Sequence, residues 1–101
     1  MDKFKKVPNG FNYVYEKLIP AGETVIVKMP PVSSNKRGIN DIGWIADGDI
    51  TLYGTLSSNP ANTQLWQEIQ GSDEVNKTVT AIKAVNFGDF DATVVIRVIL
   101  N

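Results

Sequence analysis

Residues 50–57 read ITLYGTLS, and aliphatic and polar side chains alternate along them at every step. Ile50, Leu52, Gly54 and Leu56 fall on one side; Thr51, Tyr53, Thr55 and Ser57 fall on the other. Side chains of an extended chain point alternately to opposite faces, so a period of two predicts a half-buried antiparallel strand with its aliphatic set inward. Just upstream, IGWIAD reads as a short strand. Asp47-Gly48-Asp49 between the two reads as a hairpin-type turn.

The same grammar extends in both directions. FNYVYEKLIP, residues 11–20, alternates with Tyr13, Tyr15, Lys17 and Ile19 on one face and Val14, Glu16 and Leu18 on the other, without indicating which face is buried. Ala21-Gly22 makes a tight connection to TVIVKMP, where Val25, Val27 and Met29 share a face and Pro30-Pro31 ends the strand, because proline has no amide hydrogen to donate. PVSSNKRGIND, residues 31–41, is polar and rich in turn formers, and reads as a long exposed loop. Downstream, SNPANTQ is a loop, with one helical turn open near Pro60, and LWQEI is a strand-like run whose tryptophan, Trp66, opposes Leu65 and Ile69; a short helix over 61–69 also stays open. QGSDEVN is a polar connection and KTVTAIKAVNFG a long β segment. ATVVIRVILN closes the chain with Ala92, Val94, Ile96, Val98 and Leu100 on one side and Thr93, Val95, Arg97 and Ile99 on the other. A strand apolar on both faces is central in its sheet and covered from outside, by the rest of the domain or by another copy.

Short strands with regular turn signals and no long helical period predict an all-β fold: a single small antiparallel β-sandwich or jelly-roll-like barrel of about seven strands over residues 11–101. MDKFKKVPNG, residues 1–10, is basic, ends in a turn signal and reads as an N-terminal arm.

Composition restricts the chemistry. The 101 residues hold no cysteine and no histidine, which removes disulfides, thiolate metal sites, cysteine nucleophiles and histidine bases, and leaves carboxylate, lysine, tyrosine or serine chemistry. An enzyme is not expected. The net charge of −1 hides an asymmetry: residues 1–37 carry +4 and residues 38–101 carry −5. That polarity favours complementary contact with a neighbouring protein. The basic groups at KFKK and NKR are too sparse for nucleic acid, and no apolar run reaches the ~20 residues of a membrane span. No phosphate-binding glycine loop occurs.

Asp41, Asp47, Asp49, Asp89 and Asp91 cluster in turns, where carboxylates and free carbonyls are how β domains ligate calcium. Asp-Gly pairs are also simply good turn formers, the EF-hand spacing is absent, and no metal or cofactor is expected. Two carboxylates facing each other across a cleft would make a glycosidase pair, but nothing among the acids singles one out. The aromatic residues leave three uses: Trp66 and Tyr53 form a stacking surface for a glycan or anchor a protein contact, or Trp66 caps an edge of the core, while Trp44, in phase with Ile42 and Ala46, points into the core.

From residue 42 onward the order of signals (a strand, DGDITLYGTLS, a polar loop, LWQEI, a polar spacer, TVTAIKAVNFG and a terminal apolar strand) resembles small β-sandwich virion structural proteins of tailed bacteriophages, such as capsid decoration, head-fibre or tail-associated subunits. AIKAVNFGD looks like the penultimate strand and turn of such domains. The resemblance implies a non-enzymatic virion protein, assembled in the host bacterial cytoplasm, that docks on capsid or tail proteins and on copies of itself. Phe4, Lys5 and Lys6 of the arm, Lys36 and Arg37 of the 31–41 loop, and Tyr53 and Trp66 are the expected partner-binding residues. A carbohydrate-binding module is the alternative.

Overall fold

The computed structural model describes residues 1–8, 12–30, 40–70 and 73–100. Ten strands run through them: β1 (Asp2–Lys3), β2 (Lys5–Lys6), β3 (Asn12–Ile19), β4 (Thr24–Lys28), β5 (Asn40–Ala46), β6 (Ile50–Thr55), β7 (Gln67–Glu68), β8 (Asp73–Lys77), β9 (Ala81–Asn86) and β10 (Ala92–Leu100). They form two five-stranded sheets, in the orders β1-β4-β9-β6-β7 and β2-β3-β10-β5-β8. All pairs are antiparallel except β1 with β4, which is parallel.

The alternation read from the sequence decides what lies between the sheets. Ile50 and Leu52 of β6, Val27 of β4, and Ile82 and Ala84 of β9 meet Ile19 of β3, Ile42 of β5, and Val94, Ile96 and Val98 of β10 in one buried cluster. Burying an aliphatic side chain of this size contributes about 1.5–3 kcal/mol each, and this layer is the main drive for closing the sandwich. Register resolves the ambiguity of β3: Tyr13, Tyr15 and Ile19 stand opposite Val98, Ile96 and Ala92 and share their inward face. Trp44 stands opposite Ile96 and packs against the core, as its phase predicts.

Three sequence readings are corrected. Asp47-Gly48-Asp49 does not close a hairpin: β5 and β6 belong to different sheets, and the turn carries the chain across the core. KTVTAIKAVNFG is not one strand, because residues 78–80 pass from β8 in one sheet to β9 in the other, and the polar QGSDEVN contributes most of β8. LWQEI supplies only the two-residue β7, and Leu56, in phase with the core, is 71% exposed because β6 ends at Thr55. The 31–41 loop lies outside the described residues except at Asn40 and Asp41, which belong to β5.

The basic N-terminal segment is joined to both sheets. β1 pairs with β4, β2 with β3, and the Phe4 ring meets Tyr15 edge-on at 6.0 Å. Asp2 secures it: its Oδ2 accepts the Tyr15 hydroxyl at 2.5 Å and the Lys17 ammonium at 2.9 Å. The Tyr15 hydroxyl above all, then Lys17, holds the Asp2 carboxyl below the usual carboxylate range, while burial and the Asp2 charge push the Tyr15 hydroxyl above its ordinary value. The lowered Asp2 group stabilises the fold above about pH 4 and loses that contribution as pH falls through its folded value. The raised Tyr15 group contributes below about pH 10 and loses its share as pH climbs beyond it. Because the Asp2 side chain is 37% exposed, Asp2→Asn should lower stability by no more than about 1 kcal/mol. In thermal melts across pH 2–11 that variant should show a flatter acid limb than the parent.

Candidate functional site

The acidic turns meet at one end of the sandwich. Three connections arrive there: residues 20–23 between β3 and β4, 47–49 between β5 and β6, and 87–91 between β9 and β10. They are tied to one another. The Phe87 amide donates to the Asp49 carbonyl at 2.9 Å, the Ala21 amide to Asp91 Oδ1 at 3.1 Å and the Thr93 amide to Asp47 Oδ1 at 2.7 Å. The first connection turns tightly on Gly22, whose φ of 75° suits a residue without Cβ, and the Glu23 amide donates back to Pro20 O at 3.0 Å.

Asn86 is the knot. It ends β9 with 1% of its surface exposed, and its amide nitrogen donates at 2.9 Å both to the Ile19 carbonyl and to the Phe90 carbonyl. Its Oδ1 accepts the Gly88 amide two residues on, the turn an asparagine side chain makes by standing in for a backbone carbonyl. Its backbone amide donates to the Glu23 carbonyl at 2.9 Å. A substituent at Gly88 would come to 3.2 Å from Asp49 Cβ and 3.3 Å from Asn86 Oδ1, so that close fit favours glycine there.

This framework holds two phenylalanines out into solvent, Phe87 at 58% and Phe90 at 83% exposure. Glu23, Asp47, Asp49, Asp89 and Asp91 lie in the same three connections, all exposed, and no lysine or arginine occurs there. The tip thus combines exposed aromatic surface with charge of one sign. Among the described residues no three acids converge closely enough to hold a metal ion.

A second feature lies at the far end of β6. Residues 54–58, 63, 65–68, 78 and 79 border an open groove of about 910 Å³ with Leu56 and Leu65 on its rim. Trp66 is half-buried beside it and donates its indole hydrogen to the Thr63 carbonyl at 3.1 Å. The Lys83 ammonium sits 4.7 Å from the Trp66 ring centre and 5.1 Å from that of Tyr53. A cation thus occupies the ring faces that a sugar would stack on.

The other expected partner-binding residues are dispersed. Phe4 is half-buried against Tyr15, Lys5 and Lys6 are exposed on β2, and Lys36 and Arg37 lie outside the described residues. Phe87 and Phe90 escaped the sequence reading. Their signal was two aromatics inside an acidic turn, where no strand period would bury them.

No family model matches the chain, and no curated protein matches it. Its architecture is that of a closed β-sandwich with a full solved counterpart. That counterpart is PliG of Salmonella Typhimurium, a periplasmic lysozyme inhibitor of g-type lysozyme; it aligns with a TM-score of 0.56 over 98% of this chain and 96% of its own, at 5% identity. At that identity the likeness concerns the fold. It nevertheless overturns the reading as a phage virion subunit and, with it, the placement in a virion and the capsid-decoration role: the shared fold belongs to a periplasmic inhibitor. The signal order behind that reading also misplaced strands, since QGSDEVN contributes to β8 and DGDITLYGTLS joins two sheets.

Asn86→Ala leaves two backbone carbonyls and one backbone amide without their partner and should lower unfolding free energy by about 2–4 kcal/mol in urea titrations. Asp89→Asn on the same turn should stay within about 0.5 kcal/mol of the parent.

Proposed function

We propose that the chain is a protein-binding β-sandwich that acts as an inhibitor does, by seating the Phe87–Phe90 tip in a partner protein's surface. The observation that carries this reading is the exposure of two phenylalanines on a turn locked by the buried Asn86. A turn whose backbone is already fixed in the free protein has less ordering left to undergo on binding, which lowers one of the costs of association. Aromatic groups are enriched in interface cores, and here carboxylates of the same three connections accompany them. The complementary partner therefore presents an apolar recess bordered by Lys and Arg. A g-type lysozyme is the first partner to test, because the solved protein sharing this fold carries that specificity in its description.

The test is inhibition of cell-wall clearing by g-type lysozyme, with affinity measured by biosensor at 50 and 300 mM salt. The chain should inhibit, and its affinity should fall as salt screens the acidic turns. Replacing both Phe87 and Phe90 with Ser should weaken binding at least tenfold, whereas Leu65→Ser on the distant groove should leave it unchanged. Absence of binding at 100 µM would remove lysozyme as the partner. Loss on Leu65→Ser with retention in the double phenylalanine variant would move the site to the groove.

A further inference from the structure

Among the described residues, nothing packs over the outward face of the sheet containing β10. In that sheet β10 runs between β3 and β5, with Val95 opposite Glu16 and Ile45, Arg97 opposite Val14 and Gly43, and Thr93 opposite Leu18. Opposed residues share a face, so these side chains form a surface pointing away from the core. Its middle is apolar and exposed, with Ile45 at 71%, Leu18 at 54% and Ile99 further along at 43%, while Lys5 opposite Val14 and Asp41 opposite Ile99 lie toward its margins. Glu16 and Arg97 lie within it as diagonal neighbours of opposite sign, and among the described residues neither side chain makes a hydrogen bond or ion pair.

We infer that this face packs against the same face of a second copy, around a two-fold axis that runs diagonally across the sheet through Val95. Face-to-face pairing by a two-fold requires an axis in the interface plane. The diagonal direction exchanges the Val95-to-Glu16 direction with the Val95-to-Arg97 direction. Glu16 of one copy then lies over Arg97 of the other, twice, and both charges gain the partner that each lacks within its own chain. The same operation lays Leu18 over Gly43 of the second copy, where the row has no side chain. Val95 meets its own symmetry mate. The strands of the two copies cross near a right angle, one of the two ways in which sheets stack.

Size sets the strength. β5 has seven residues, which at ~3.4 Å each and five strands ~4.8 Å apart gives a face on the order of 550 Å² per copy. That falls in the range of weak, reversible association, so the dimer forms at micromolar concentration.

Sedimentation velocity of the whole chain from 1 to 500 µM tests this. The mass should rise from 11.1 kDa toward twice that value. Arg97→Glu and Glu16→Arg should each remain monomeric at 500 µM, because each alone places like charges across the axis, and a one-to-one mixture should recover the dimer through two restored pairs. Near-ultraviolet circular dichroism checks that both variants are folded, and Ile45→Lys, which puts a charge into the apolar middle of the face, should also be monomeric. Replacing Phe90 with Ser should leave dimerisation intact, which separates this surface from the tip. A parent that stays monomeric at 500 µM overturns the proposal. So does a dimer that survives all three face variants, and a mixture that fails to associate overturns the diagonal register.

Discussion

One side chain amide holds an end of the molecule in shape. Asn86 lies where β9 stops, at the inner margin of the core, and its three side-chain hydrogen bonds reach the end of β3, the following turn and the backbone just before β10. A buried amide with all three bonds made is tolerated because each satisfies a backbone group that would otherwise be stranded without water. The geometry of the exposed tip is therefore set from below, by a residue that no partner would touch.

Burial and exposure divide labour across the two sheets. The inward faces are filled by aliphatic side chains that have no function beyond packing, whereas the outward faces differ from each other. One presents Tyr53, Lys83 and Trp66 in mutual contact, a unit whose polar demands are met locally by the Thr63 carbonyl and the ring faces. The other presents Leu18, Ile45 and Val95 with a separated pair of charges. A face that is self-satisfied and a face that is not carry different expectations of company.

Much of the fold was legible because alternation is a local property. Ile50 and Leu52, or Val94 and Ile96, declare their inward side within a single strand, and Trp44 does so through its phase with Ile42. The partition of strands between sheets was not legible, since a turn such as Asp47-Gly48-Asp49 has the same composition whether it reverses the chain within a sheet or carries it across the core. β8 was missed because an edge strand tolerates the polar residues of Asp73–Lys77, and composition then mimics a loop. The tip's acids and aromatics were visible singly, but Glu23, Asp49 and Phe87 are brought together only by long-range hydrogen bonds. Trp66 is the instructive case: its strand period suggests a choice between core and contact, whereas its ring face meets Lys83 of β9, seventeen positions away, a contact that no local period announces.

The central position of β10 bears on how the chain comes to be folded. Both of its neighbours precede it, and Ile99 pairs with Asn12 across most of the chain. Until residues 92–100 leave the ribosome, β3 and β5 have no strand between them and two unpaired edges each look for a partner. Pairings of such long separation place the molecule among slow folders, in which loop-closure entropy is lost before the contacts that reward it are made. During synthesis the nascent chain carries its aliphatic strands in an unfinished sheet, and that interval is when aggregation competes with folding most strongly.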